Sequence, residues 1–307
     1  LAELLDGALT RSLASADEAV EGRLSLAAVG SYGRAELSPG SDVDVVLLHD
    51  GRTNVAEVAD RLWYPLWDAG FVVGHSSNTV KDEVALAERD LHALTAWLDA
   101  RRVAGDPELF TDGVARIRRL AQRRRSRLIE DLRSAAEVRR EKFGLVAEML
   151  EPNLKEGSGG LRDAQSLSWA GWTLGEPGGW RALVEQGYLR GGDPGRLAAA
   201  IGRLLDVRVA LHRVTGSRSD VLTLQEQDAV AAETGAEDAD ALVRDLAGAA
   251  RAIAWLVTDV FARLEATERG PGGRASRRDR DLGGGVVVRG GRVVVYAAAL
   301  VDATLVV

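Results

Sequence analysis

The sequence predicts an α+β protein: a domain built on a mixed sheet with flanking helices, followed by an all-α helical domain. Three observations carry that expectation. Residues 24–29 and 43–48 are short apolar runs, the second rich in β-branched side chains, and both read as strands. From Pro107 the character changes to long helical patterns rich in Ala, Leu and Arg, running to about Arg269 with interruptions near Pro152 and Pro177. A length of 307 residues favours two units over one. The expected divisions are residues 1–106, 107–269 and 270–307.

The elements follow in order. Between the first two strands stand Gly30-Ser31-Tyr32-Gly33-Arg34 and then a polar turn through Ser38, Pro39, Gly40 and Ser41. Val55, Val58, Leu62 and Leu66 recur at helical spacing within residues 54–69, where Pro65 marks a kink or a break. Residues 71–73 open a third strand and residues 81–91 a helix, while residues 94–103 suit a fourth strand or a helix equally. Residues 270–285, rich in Gly and Arg, read as a linker or loop. Val286-Val287-Val288 and Val293-Val294-Val295, joined through Arg289-Gly290-Gly291-Arg292, are a hairpin signal.

Composition narrows the function classes. A formal net charge of −7 argues against an extended nucleic-acid partner and favours a protein or small-molecule acceptor. With no cysteine there is no disulfide, thiolate metal site or Cys nucleophile, so any metal sits on oxygen or imidazole. No apolar stretch reaches the roughly 18 residues of a membrane helix, and residues 1–22 lack a signal-peptide pattern. A soluble, cytoplasmic protein without a membrane partner is expected. Because the chain opens on Leu1 and stops in an apolar run at Val307, it is expected to be a piece of a longer protein.

The chemistry concentrates between Gly30 and Asp44. A strand sets residues two apart on one face, so Asp42 and Asp44 present their carboxylates side by side. Two such charges repel unless a cation lies between them, and hard divalent ions bind through oxygen ligands and substrate phosphates. Gly30 and Ser31, at a strand-to-helix junction, let backbone N–H groups and a hydroxyl approach phosphates, and Arg34 adds positive charge. Each motif alone is ordinarily a turn or a surface acid. Their order and spacing between two strands point to metal-assisted nucleotidyl transfer. Asp99, an acid within an apolar segment, is the candidate third carboxylate, as metal ligand or as base for an acceptor hydroxyl, with Asp90 as competitor.

Several separated blocks carry a family resemblance. They are Gly30-Ser31-Tyr32-Gly33-Arg34-Ala35-Glu36-Leu37 running into Ser41-Asp42-Val43-Asp44, Pro65-Leu66-Trp67-Asp68-Ala69-Gly70 with Val73-Gly74-His75-Ser76, and Leu98-Asp99-Ala100-Arg101 with Ala104-Gly105-Asp106. The longest is Glu151-Pro152-Asn153-Leu154-Lys155-Glu156-Gly157-Ser158-Gly159-Gly160-Leu161-Arg162-Asp163, and a weaker likeness runs through Leu211-His212 to Gln227. Together they resemble the bacterial PII-protein uridylyltransferases. The resemblance implies a polymerase-β-like nucleotidyltransferase domain, a helical linker domain, dependence on Mg²⁺ with Mn²⁺ as a substitute, and transfer of UMP from UTP to a tyrosine of the PII signal protein. It places Asp42, Asp44 and Asp99 as the metal triad and Gly30 and Ser31 in the phosphate loop. Ser77-Asn78 stand where the family pattern leads one to expect an arginine, and Ser31 where it often has glycine. Longer members add an HD phosphohydrolase and glutamine-sensing ACT domains; neither is visible, and His49-Asp50 reads as a strand end.

Two other readings stand beside it. One is an adenylyltransferase using ATP, acting on PII protein, glutamine synthetase or another acceptor; the other is a non-catalytic module that binds nucleotide or PII protein. Lys155 and Arg162, flanking a glycine-rich turn, serve either as nucleotide or cleft contacts or as an interdomain brace. Arg116, Arg118, Arg119, Arg123, Arg124, Arg125 and Arg127 read as a solvated helix face. Trp63, Trp67, Trp97, Trp169 and Trp172 read as core, and His75 as a hydrogen-bonded structural residue.

Overall fold

The computed structural model describes residues 1–17, 22–51 and 55–268, together with the strand backbones of residues 280–283, 286–289 and 292–295. Residues 1–257 form one compact unit and residues 258–307 a second. The strand-bearing part of the first runs α1 (Ala2–Asp17), β1 (Leu24–Ala28), α2 (Gly30–Gly33), β2 (Val43–His49), α3 (Val55–Asp68), β3 (Val73–Thr79), α4 (Val80–Ala87), α5 (Leu91–Leu98) and β4 (Arg101–Gly105). The helices that follow are α6 (Pro107–Arg123), α7 (Arg125–Phe143), α8 (Leu161–Trp172), α9 (Gly179–Glu185), α10 (Asp193–Thr215), α11 (Gln227–Thr234) and α12 (Ala239–Glu268). In the second unit β5 (Arg280–Gly283), β6 (Val286–Arg289) and β7 (Arg292–Val295) pair antiparallel in that order.

The sheet order is β3-β2-β1-β4, with β1 antiparallel to both neighbours and β2 parallel to β3. This is the mixed sheet of the expected α+β class. Alternation in β2 sends Val43, Val45 and Leu47 into a core shared with Leu5, Leu9 and Leu13 of α1 and Leu62, Trp63 and Leu66 of α3. Asp44 therefore falls on the opposite face. That face is covered by α6, whose Leu109, Val114, Ile117 and Leu120 are buried.

Several local expectations are revised. Helix α1 was not anticipated. Pro65 does not break α3, because a proline costs about 3 kcal/mol in a helix interior while burying each of Val58, Leu62, Trp63 and Leu66 returns about 1.5–3 kcal/mol. Residues 94–103 hold both alternatives in succession, the end of α5 and the start of β4. Four residues of the expected linker pair as β5, and the expected valine hairpin is β6–β7. Asp90 is the N-cap of α5, accepting from the Ala93 amide at 2.9 Å, which accounts for it structurally. Trp67, one position off the buried stripe of α3, is 40% exposed, and Trp172 is half-buried with the Arg118 guanidinium 3.7 Å over its ring.

Asn78 explains one departure from the family pattern. Its side-chain amide donates to the buried Glu83 carboxylate at 2.8 Å, joined by the Ser76 hydroxyl at 3.3 Å and the Trp97 indole N–H at 2.7 Å. The arginine run on α6 and α7 is mostly exposed and pairs along the helices, as in Arg116–Asp112 and Arg127–Asp131. Among the described residues no helix is long and apolar enough to cross a membrane.

Candidate active site

Strand β1 ends at Ala28 and the chain turns at once into α2, with Gly30 at a positive φ of 57° that favours glycine. Gly33 lets α2 sit close under the turn before β4: a Cβ there would lie 2.5 Å from the Asp99 carbonyl oxygen and 2.9 Å from that of Ala28. Tyr32 is fully buried and donates to Asp6 at 2.6 Å, and Arg101 donates to the same carboxylate at 2.7 Å and 3.1 Å. Burial first, then the Asp6 carboxylate, hold the Tyr32 phenol protonated. This cluster fastens α1, α2 and β4 together around the start of the site.

Of the two acids of the expected pair, Asp44 lies in β2 and Asp42 stands just ahead of it, where its charge acts on the Asp44 carboxyl. Asp44 lies opposite Gly74 in the parallel register with β3. Its carboxylate is seated between two glycines: a Cβ on Gly30 would come 3.1 Å from Oδ2, and one on Gly74 would overlap Oδ1. Burial, then the charge of Asp42, push the Asp44 carboxyl above its ordinary range, while His92, Lys155 and Arg34 pull it down. Asp42 is half-exposed and pairs with Arg218 at 3.3 Å.

Asp99 already has partners. It caps the C-terminus of α5, beyond β1 from Asp44, and accepts from Arg34 Nη1 at 2.6 Å and from the Trp169 indole N–H at 2.8 Å. Burial raises its carboxyl against the pull of Arg34 and Trp169. Among the described residues no three His, Asp or Glu side chains converge as a metal-holding group, and the Asp99 carboxylate is bound to Arg34 and Trp169 instead. The reason is physical: Arg34, expected to face phosphate, spends Nε on Glu36 and Nη1 on Asp99. Burial opposes its charge, and Asp99 and Glu36 outweigh burial to keep it protonated.

The block from Glu151 to Asp163 folds as a braced loop. Asn153 accepts from the backbone amides of Lys155 and Glu156, and the Leu154 and Leu222 amides donate to the carbonyls of Asp220 and Pro152 respectively. Arg139 donates to Asp163 at 2.7 Å, and Asp163 also accepts from the Gly159 amide. Arg162 donates to Gln165 and Glu156 and lies 5.6 Å over the Trp169 ring. Burial lowers the Lys155 pKa, Arg162 and Arg208 lower it further, and Asp220 and Glu156 oppose them, while the Lys155 charge also acts on the Asp44 carboxyl. A desolvated ammonium with two cationic neighbours is an arrangement that an anion completes.

Sequence reasoning missed several contributors. Gly74 was visible only as part of a family block. Arg208 and His212, one turn apart on α10, reach the turn before Asp42 together with Asp220; the i, i+4 spacing was the available signal. His92 was not singled out at all. Trp169 is buried as expected, yet its indole N–H supports Asp99. His75, exposed, rests against Trp63 and Trp67 at ring separations of 5.3 Å and 5.4 Å and contributes nothing to the acid pair.

Comparison with known proteins gives two family matches. Residues 12–94 match the nucleotidyltransferase domain family, and residues 127–264 match the family described as GlnD PII-uridylyltransferase. The chain is 45% identical over 261 residues to the bifunctional uridylyltransferase/uridylyl-removing enzyme of Streptomyces coelicolor, covering 83% of this chain and 29% of that protein. Similar proteins with the same description occur in Mycobacterium tuberculosis, 40% identical over 75% of this chain and 28% of theirs, and in Erythrobacter litoralis, 37% identical over 74% and 25%. The chain thus spans less than a third of the length of these relatives.

Proposed function

Because this chain belongs, across its nucleotidyltransferase and helical portions, to the PII-uridylyltransferase family, we propose that it transfers UMP from UTP to a tyrosine of a PII signal protein in the cytoplasm, releasing pyrophosphate. The observation that carries the reading is the Asp44 carboxylate, seated on Gly30 and Gly74 beside Asp42 and faced by Lys155 and Arg34. We assign nucleotide chemistry to residues 1–106 and the linking role to residues 107–269.

Mg²⁺, or Mn²⁺ in its place, fits Asp42 and Asp44, because two neighbouring carboxylates, one partly desolvated, offer a hard oxygen set whose repulsion a divalent cation relieves. Such an ion neutralises phosphate charge and polarises the phosphoryl oxygen. The protein's own groups do the rest. Gly30 and Ser31 leave room and donors for the triphosphate, with Lys155 and Arg162 approaching from the helical side. The acceptor phenol attacks the α-phosphorus in line, the bond to the bridging oxygen of the β-phosphate breaks, and pyrophosphate leaves with that electron pair. Asp99, whose proton affinity burial raises, takes the phenolic proton after exchanging its contact with Arg34.

The test is incubation of the purified chain with PII protein, Mg²⁺ and either UTP or ATP, read by intact mass. Added UMP is expected; added AMP would establish the adenylyltransferase reading, and no adduct the non-catalytic one. Asp42→Asn and Asp44→Asn are expected to abolish transfer with unchanged circular dichroism, and full activity in both would overturn the proposal.

A further inference from the structure

The polar turn ahead of Asp42 does not stand by itself. Arg208 Nη1 donates to Ser38 Oγ at 2.7 Å and lies 3.4 Å from Ser41 Oγ, while its Nε donates to Asp220 at 2.6 Å. The Gly40 amide donates to His212 Nδ1 at 3.2 Å. With Nδ1 accepting, the ring proton is on Nε2, which lies 3.2 Å from the same Asp220 oxygen. These side chains are shut away from water: Arg208 is 8% exposed, His212 0% and Asp220 14%. Gly40 fits so closely that a Cβ would come 2.9 Å from both His212 Nδ1 and the Ser217 carbonyl oxygen, and 3.1 Å from Arg218 Cα.

Buried charged networks are weak contributors to stability, since their desolvation offsets much of their attraction. A network of this kind is better matched to holding one geometry. Both serines and the Gly40 amide belong to the turn that leads through Asp42 into β2; the serines bond each other, and the partners they and the Gly40 amide find outside the turn, Arg208 and His212, both stand on α10. The next residue beyond the turn, Asp42, also meets the helical side through Arg218.

We infer that Arg208, His212 and Asp220 are positioning residues, which clamp the turn of Ser38, Gly40 and Ser41 so that the Asp42 carboxylate is presented beside Asp44. The inference rests on the transfer reaction proposed above and extends its machinery to α10. Asp42 precedes β2 and lies outside the ladder register that sets Asp44, and the clamp supplies that constraint.

The two contacts of His212 can be separated. His212→Asn keeps an acceptor at the Nδ1 position and loses the Asp220 contact, whereas His212→Ala loses both. Gly40→Ala pushes the turn away from His212 and the Ser217 carbonyl while leaving the side chains of Arg208, His212 and Asp220 unaltered. Transfer assays on the full chain would compare kcat, KM for UTP and the Mg²⁺ concentration giving half-maximal rate, with thermal unfolding alongside. His212→Ala and Gly40→Ala are expected to lower kcat by about 100-fold, as misplacement of about 1 Å can. They are also expected to raise the Mg²⁺ requirement and leave KM for UTP nearly unchanged, while His212→Asn recovers most of the rate. Unchanged kcat in both, or a His212→Asn as impaired as His212→Ala with losses tracking the melting temperature, would overturn the positioning role. A wild-type chain that transfers nothing would instead overturn the proposed function.

Discussion

Gly74 shows how far a single side chain, or its absence, decides the site. It faces Asp44 across the β2–β3 ladder, and the space a methyl would fill is taken by the carboxylate oxygen. Gly74→Ala is therefore expected to turn Asp44 out of its seat and reduce transfer on the order of 100-fold. Gly74 is exposed and on an edge strand, so the melting temperature should move little. Transfer kinetics with a melting curve checks both halves; wild-type kcat would show that Asp44 is held by other contacts. Gly30 has the same neighbour but also a positive φ, so a substitution there mixes backbone strain with displacement of the acid.

The loop between α7 and α8 depends on one ion pair more than on its many turns. Arg139 and Asp163 are 14% and 7% exposed and 2.7 Å apart, and the acid also anchors the Gly159 amide. Arg139→Ala leaves Asp163 buried without its partner and is expected to destabilise the chain by about 3 kcal/mol. Urea unfolding measures it, and a loss under 1 kcal/mol would mean that the Gly159 amide suffices. Because the same loop carries Lys155 and Arg162, proposed to meet the nucleotide, the variant should also raise KM for it.

The strand-bearing and helical portions are joined by packing as well as by chain. Helix α6 buries Leu109, Val114, Ile117 and Leu120, and at about 1.5–3 kcal/mol for each such side chain their sum matches the entire net stability of a domain. A fragment of residues 1–106 is accordingly expected to lack a cooperative unfolding transition by near-ultraviolet circular dichroism; a sharp transition would show that the sheet portion folds alone. The assignment of separate roles to residues 1–106 and 107–269 is thus one of function within a shared core.

Acid should weaken the link between those portions in a defined direction. Burial raises the Asp220 carboxyl, but the His212 hydrogen bond and the Arg208 charge outweigh it, so the folded value lies below the ordinary one. A depressed carboxyl contributes stability that is present above its unfolded value, near 3.8, and lost as pH falls through the lower folded value. The difference in unfolding free energy between the wild type and Asp220→Asn should be constant at neutral pH and shrink below pH 3.8. A difference that grows on acidification would reverse the assigned shift.

Much of this was legible in the chain. The apolar runs of residues 24–29 and 43–48 and the Gly30-Ser31 turn between them are local patterns, and backbone geometry converts them directly into β1, β2 and the junction at α2, although Asp42 falls just ahead of β2. The fate of Asp99 and Arg34 was not legible, because two candidate site residues 65 positions apart satisfied each other once burial made an unpaired charge costly. Nor was the clamp, whose Arg208 and Ser38 stand 170 positions apart. Local spacing specifies which face a residue occupies; which distant charge it meets there is decided only when packing removes water from both.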